Sequence, residues 1–286
     1  MINCLLCLHT AYKYTKKNEY TVYRCSACGL IFVSPEDTCD TSSIYDKRYF
    51  IGDSTSVGYA NYLNEEDVVK EAASQYLNKL ALYYPQKGTL LDIGAATGVF
   101  VGEALAKGWE SYGIEISDFA SSIARKRGLD VVTANFLDNK IERTFDVITM
   151  FDYIEHVPRP KEQIMRVYNL LQDGGLLLIN TPDAHSLYSR VIGKRWHAIT
   201  PPNHQILFNK KNITDLLQRC GFDIVECSRI KKKFTLLFVA HTLLRIKKNK
   251  FFKKAFHFFE NHTIGSKFVR LDLRDNMLII ARKKKK

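Results

Sequence analysis

Apolar positions along the chain follow two periods. Residues 65–84 carry Val68, Val69, Ala72, Ala73, Tyr76, Leu77 and Leu80 at helical spacing, which predicts an amphipathic helix. From residue 89 short apolar runs take over, at 90–93, 112–116, 131–133, 145–151 and 176–179, with helix-length segments between them. Strands alternating with helices predict a parallel sheet covered on both faces, with ligands at the carboxyl ends of the strands. A last strand is expected near 277–281. No apolar run reaches the roughly 18 residues of a membrane span.

The first strand ends in chemistry. Leu90-Leu91-Asp92-Ile93-Gly94-Ala95-Ala96-Thr97-Gly98-Val99-Phe100 runs from apolar strand through a glycine turn into a helix start, a form that lets backbone N–H groups and a helix N-terminus approach a ligand. Val99 stands where a dinucleotide fingerprint needs its third glycine. The segment, reading acidic-x-Gly-x-Ala-x-Gly, resembles motif I of the class I S-adenosylmethionine-dependent methyltransferases. Four further segments keep that family's order: Tyr112-Gly113-Ile114-Glu115, Ala134-Asn135-Phe136, Phe151-Asp152-Tyr153-Ile154-Glu155-His156, and Asp173-Gly174-Gly175 leading into 176–182. The similarity covers roughly residues 65–230 and the last strand. It implies a Rossmann-like α/β sheet that holds S-adenosylmethionine through Asp92, Gly94, Ala95, Ala96 and Gly98. Glu115 would accept the ribose hydroxyls, Asn135 and Phe136 would lie at the adenine, and Asp152 would complete the cofactor set.

A second constellation precedes this core. Cys4-x-x-Cys7 and Cys25-x-x-Cys28-Gly29 are separated by seventeen residues, a spacing that can set four thiolates around a tetrahedral Zn²⁺. Two reduced pairs, or oxidised ones, are the plainer alternative. Four sulfurs leave no open position, so such a zinc is structural. Cys39, Cys220 and Cys227 read as ordinary thiols. A zinc ribbon followed by Tyr45-Asp46-Lys47-Arg48-Tyr49-Phe50 and then a methyltransferase core resembles bacterial sugar C-methyltransferases and methyltransferases of polysaccharide clusters. That resemblance implies that Tyr45, Tyr49 and Phe50 line an acceptor pocket; aromatic packing between ribbon and core is the other reading.

For acid–base work, His156 follows the fourth strand at the ligand edge and has a side-chain pKa suited to proton transfer near neutrality. Glu155 and Tyr153 accompany it. The alternatives are that Glu155-His156 braces its loop and that Tyr153 is a buried anchor. Residues 183–208, with His185, Trp196, His197 and His204, form a long connection at the same edge and read as a lid or acceptor loop. His204 is the second acid–base candidate, against a structural hydrogen-bonding role.

Charge changes the picture only at the end. Residues 231–286 hold 17 Lys/Arg and 3 Asp/Glu, a balance of +14, so residues 1–230 carry −2 of the total +12. Lysines interleaved with phenylalanines predict either a contact with anionic membrane or a helical insertion with a solvated face, and Lys283–Lys286 a frayed tail. The expected organisation is a ribbon and acceptor-side cap (1–50), an S-adenosylmethionine-binding core (51–230) and a basic helical insertion with the final strand (231–286). Met1 leads directly into a cysteine pair rather than a basic segment and apolar run, and the expectation is a cytoplasmic enzyme. The expected reaction is methyl transfer to a small-molecule or glycan acceptor, a sugar or cell-envelope precursor. An RNA methyltransferase with a zinc module, and a cofactor-binding interaction protein without catalysis, are the alternatives.

Overall fold

The computed structural model describes residues 1–38, 44–51, 66–230, 233–246, 249–270 and 274–285. Cys39, Lys231, Lys232, Lys247, Lys248 and Lys286 lie outside them, as does the residue at 65 where the first helix was predicted to start.

At the N-terminus β1 (Ile2–Asn3), β2 (Thr10–Lys17), β3 (Tyr20–Cys25) and β4 (Ile31–Val33) pair antiparallel, followed by the short α1 (Lys47–Ile51). The predicted amphipathic helix is α2 (Glu66–Tyr83), which buries Ala73, Tyr76, Leu77 and Leu80. Then come β5 (Thr89–Ile93), α3 (Val99–Ala106), β6 (Glu110–Glu115), α4 (Asp118–Lys126), β7 (Val131–Thr133), β8 (Phe145–Phe151), α5 (Pro160–Leu170) and β9 (Leu171–Pro182). Beyond β9 lie α6 (Leu187–Ile192), β10 (Ile206–Leu207), α7 (Lys210–Arg219) and β11 (Phe222–Ser228). The basic region forms β12 (Lys233–Thr235), α8 (Leu236–Ile246), α9 (Lys250–Glu260) and β13 (Phe268–Arg270) before β14 (Asn276–Lys283).

Seven strands make the main sheet in the order β7-β6-β5-β8-β9-β14-β11. The five from β7 to β9 are parallel, and β14 runs antiparallel between β9 and β11. Period two is visible in β9. Leu176 and Leu178 pack with the α2 and α3 side, whereas Leu177 and Ile179 pack with Ile164 and Val167 of α5 and Leu216 and Leu217 of α7.

The ribbon takes its fifth strand from the expected core, because β10 pairs antiparallel with β4. Cys4, Ala11, Cys25, Leu30 and Phe32 join the α5/α7 side of the core, and Val22 and Ile31 pack with Trp196, Ala198 and Ile199. Residues 183–208 therefore act mainly as mortar between ribbon and core, where the sequence suggested a lid. Trp196, almost fully buried, hydrogen-bonds through Nε1 to Asp275. One expectation is overturned: Lys283 is not part of a frayed tail. It closes β14, is buried, and its Nζ donates to the Leu171 carbonyl at 2.7 Å with Asp173 at 3.4 Å. A lysine that finds a carbonyl and a carboxylate satisfies its charge inside the sheet edge.

The two cysteine knuckles are built alike. Cys4 N–H donates to His9 O and Leu8 N–H to Cys4 O, just as Cys25 N–H donates to Leu30 O and Gly29 N–H to Cys25 O. Both turns end in left-handed backbone, at φ +63° for Leu8 and +73° for Gly29. Leu8 pays a steric cost of about 1–2 kcal/mol that Gly29 avoids. A Cβ on Gly29 would also lie 2.5 Å from the His185 ring. In urea unfolding, Leu8→Gly is expected to be at least as stable as wild type once the extra unfolded-chain entropy of glycine is counted, and Gly29→Leu less stable by about 2 kcal/mol or more.

Candidate active site

At the carboxyl end of β5 the chain turns through Gly94, whose φ is +80°, and Gly98 into α3. Gly94 N–H and Ala95 N–H both donate to Ile114 O, fastening this turn to the end of β6. A Cβ at Gly94 would approach Tyr153 Cδ2 to 2.9 Å, so the tyrosine ring covers the turn. Glu115, buried at the end of β6, accepts the Ala96 N–H at 2.8 Å on one carboxylate oxygen and the Ser117 N–H at 2.8 Å on the other. Burial pushes its pKa up even so. The turn and its acid thus form one hydrogen-bonded unit. Asp92 lies fully buried behind it, accepting a 2.6 Å hydrogen bond from Thr149 Oγ1. Burial pushes this carboxyl up to about 7, with the Thr149 bond opposing and Glu115 adding.

The remaining predicted cofactor residues divide. Asn135 is exposed and its Oδ1 accepts Leu137 N–H within its own turn. Phe136 is buried in the core under the Arg166 guanidinium, which lies 5.1 Å from its ring centroid. Asp152 ends β8 at φ +49°, a conformation that a non-glycine residue adopts only when its surroundings hold it. Asn180 does so: its carbonyl accepts Asp152 N–H at 2.8 Å and its Nδ2 donates to the Asp152 carboxylate at 2.8 Å. Phe151 beside it stacks on Tyr76 of α2 at 3.8 Å.

The structure brings the four acid–base candidates to this edge. Ile154–His156 forms one 3-10 turn. Tyr153 donates to Gln163 Oε1 at 3.1 Å, and Thr181 Oγ1 donates to Glu155 Oε2 at 2.9 Å. His156 is buried, and its Nδ1 lies 2.8 Å from Asn203 O. A carbonyl only accepts, so Nδ1 carries the proton and Nε2 the lone pair. Burial pulls the His156 pKa below its ordinary value, which keeps the ring neutral at neutral pH. His204 packs against it with ring centroids 4.8 Å apart, its own Nδ1 fixed by Ala198 O at 2.7 Å. Tyr45 places its ring edge on His156 at 5.9 Å, donates to Asn203 Oδ1 at 3.2 Å, and takes Ser117 Oγ–H on its carbonyl. Tyr49 packs on Tyr45, and Phe50 on Phe119 of α4. Residues 44–51 therefore bridge the ends of β6 and β8. His185 and His197 lie apart from the four, against Arg24 and Asp275 respectively.

Thr149, Asn180, Thr181, Asn203 and Gln163 were not anticipated. Thr149, Asn180 and Thr181 left a signal, as polar residues inside or at the end of otherwise apolar strands; Asn203 and Gln163 left none that one sequence exposes.

In the ribbon, the sulfurs of Cys4, Cys7, Cys25 and Cys28 all lie within 4.8 Å of one another, with Cys4–Cys28 at 3.6 Å and Cys7–Cys25 at 3.5 Å. A tetrahedral ion with bonds of about 2.3 Å to sulfur needs edges of about 3.8 Å, so the donor set fits an ion of that size. The Leu6 N–H on Cys4 Sγ and the Cys28 N–H on Cys25 Sγ supply the backbone donors that support thiolates.

Comparison with known proteins follows the same outline. Residues 65–227 match the family described as a methyltransferase domain. An uncharacterised methyltransferase of Staphylococcus carnosus is 29% identical over 157 residues, 54% of this chain and 70% of that one. A ubiquinone biosynthesis O-methyltransferase of Nitrosomonas europaea is 29% identical over 101 residues, 32% of this chain and 43% of its own length, so the chain spans under half of that relative. In fold it is similar to a SAM-dependent methyltransferase from Archaeoglobus fulgidus (TM-score 0.53, 21% identity, 78% of this chain and 99% of that one). It is also similar to magnesium protoporphyrin IX methyltransferase from Synechocystis with bound SAH (TM-score 0.53, 13% identity, 82% and 91%).

Because a buried carboxyl raised to about 7 holds its proton more tightly folded than unfolded, Asp92 should lower stability as pH rises from about 4 to 7. The Asp92→Asn variant, which keeps an acceptor for Thr149, should lack that slope. The difference between the two unfolding curves is expected to grow by about 3–4 kcal/mol across that window, read by urea titration at each pH.

Proposed function

The chain belongs to the methyltransferase-domain family, and we propose that this S-adenosylmethionine-dependent methyltransferase acts on a sugar or cell-envelope glycan precursor. The observation that carries the reading is His156, its Nδ1 2.8 Å from the Asn203 carbonyl and its ring packed between His204 and Tyr45 at the end of β8. When bound, S-adenosylmethionine supplies a methyl group on a sulfonium. The Gly94–Gly98 turn, Glu115 and Asp152 would hold it, with Asp92 behind them. His156 Nε2 would take up the acceptor proton while the methyl carbon passes from sulfur to the acceptor atom, the carbon–sulfur bond breaking and S-adenosylhomocysteine leaving. Asn180 and Thr181 hold Asp152 and Glu155 in place, and Tyr45 with α1 would exclude water from the edge. The name of the Nitrosomonas relative, an O-methyltransferase, favours oxygen as the accepting atom.

The four cysteines hold a structural zinc in this reading. Asn209, which caps α7, donates through Nδ2 to Cys28 O at 2.8 Å, so the metal and the connection that carries Asn203 and His204 are mechanically joined.

Labelled methyl from S-adenosylmethionine should enter the nucleotide-sugar or lipid-linked fraction of a host extract and be absent with Gly94→Val. Label confined to RNA or protein would sink the glycan reading. His156→Ala should lower turnover by about 10²–10⁴-fold with cofactor affinity retained. In wild type the acid limb of kcat should fall below pH 6.5, since burial depresses the histidine. An unchanged rate removes His156 from the base role. Cys25→Ser should lose zinc by elemental analysis and unfold at lower temperature while still binding S-adenosylmethionine; a full zinc complement would refute four-thiolate ligation.

A further inference from the structure

Among the described residues, the insertion between β11 and β14 contributes none of the site contacts given above, yet it arises beside them. Ser228 at the end of β11 pairs with Leu278, and Asn276 at the start of β14 pairs with Pro182 at the end of β9. The excursion of residues 229–275 thus leaves and returns at the carboxyl edge of the parallel strands, where Asp152 and Glu155 lie. Residues 231–260 carry nine Lys/Arg against one acidic residue, Glu260, whose carboxylate meets His257 Nδ1 at 3.0 Å.

Helix α9 is sharply two-sided. At 100° per residue Phe251, Phe252, Phe256, Phe258 and Phe259 fall on one arc with Ala255, and Lys250, Lys253 and Lys254 on the other. A helix packed on a protein core would bury its aromatic arc, but no residue of α9 is buried. The centre of the arc, Phe252, Ala255, Phe256 and Phe259, is half-covered where α9 packs along α8. Its edge is more open: Phe251 is 72% exposed, and Phe258, whose ring stacks on His262 at 4.3 Å, is 49% exposed, the two one above the other at i and i+7 with the exposed Lys254 between them. Leu243 of α8 and Ile264, just beyond α9, are exposed as well. No helix among the described residues is long and apolar enough to cross a membrane.

We infer that α8 and α9 form a docking element for an anionic bilayer surface, with Phe251 and Phe258 entering the headgroup layer and the lysines held by lipid phosphates. Phenylalanine without a polar handle suits the acyl boundary, and cations beside it suit anionic headgroups. Because the element springs from the ligand edge of the sheet, docking brings that edge to the membrane, where an acceptor carried on a lipid would be met. The membrane contact stands independently of the glycan reading.

The test is co-sedimentation of the full chain with phosphatidylcholine vesicles, alone or mixed with phosphatidylglycerol. Wild type should bind the anionic vesicles and release as salt is raised. Phe251→Ser/Phe258→Ser and Lys253→Glu/Lys254→Glu should each cut binding about tenfold or more. Both variants should keep S-adenosylmethionine affinity, which separates this outcome from a folding defect. In Phe251→Trp the emission should shift to the blue on anionic vesicles alone. Equal sedimentation with neutral and anionic vesicles would overturn the proposal. So would lysine-dependent binding indifferent to both phenylalanines and displaced by single-stranded RNA, which would give the surface to nucleic acid.

Discussion

A stretch of seven residues, 203–209, couples the two halves of the molecule through its backbone. Gln205 N–H donates to Glu155 O on one side, and Gln205 O accepts Val33 N–H on the other. Its neighbours extend both contacts: Asn203 O fixes His156, β10 pairs with β4, and Asn209 reaches the Cys28 carbonyl. The ribbon and the 3-10 turn are therefore held in one register by hydrogen bonds of fixed geometry. The second cysteine knuckle and His156 are thus joined through one short stretch of chain.

The same edge gathers polar groups that are costly to bury. An unsatisfied buried donor or acceptor costs about 1–3 kcal/mol, and Asp92, Glu115, Glu155 and His156 all lie out of solvent. Each is met by a partner: Thr149, the Ala96 and Ser117 amides, Thr181, and Asn203. One of these contacts, Ser117 to Glu115, is local; the others join residues 19 to 57 positions apart. Preorganisation of this kind lets a site act without first rearranging.

How much was legible depended on residue type and spacing. The glycine turn, Glu115 and the paired knuckles were marked by these alone, and they stand where the sequence suggested. So do the strand alternation and α2, the helix within a residue of its predicted limits and β9 longer at both ends than the apolar run that announced it. What escaped depends on pairing between elements. β10 is two residues long and exists because β4 offers it an edge; Asn203 matters through His156 and Tyr45, 47 and 158 residues away, and Gln163 through Tyr153, ten residues back across the turn into α5. Residues 183–208 looked like a lid because loops at a ligand edge often are, yet Trp196 and Ile199 find an apolar surface on the ribbon that no local pattern announces. Lys283 looked like tail because lysine runs usually are solvated; a carbonyl and a carboxylate at the edge of β9 drew it in.

Strand β14 lies between β9 and β11, although both are synthesised before it and the whole insertion separates β11 from it. Until residues 276–283 emerge, the adjoining edges of β9 and β11 have no strand to separate and pair them, and Ile279 and Ile280 cannot yet fill the two faces they join. The main sheet therefore closes late and by non-local contacts, which are slow to form and leave strand edges open to other chains. On the ribosome, the helical insertion becomes available before the catalytic fold beneath it is complete.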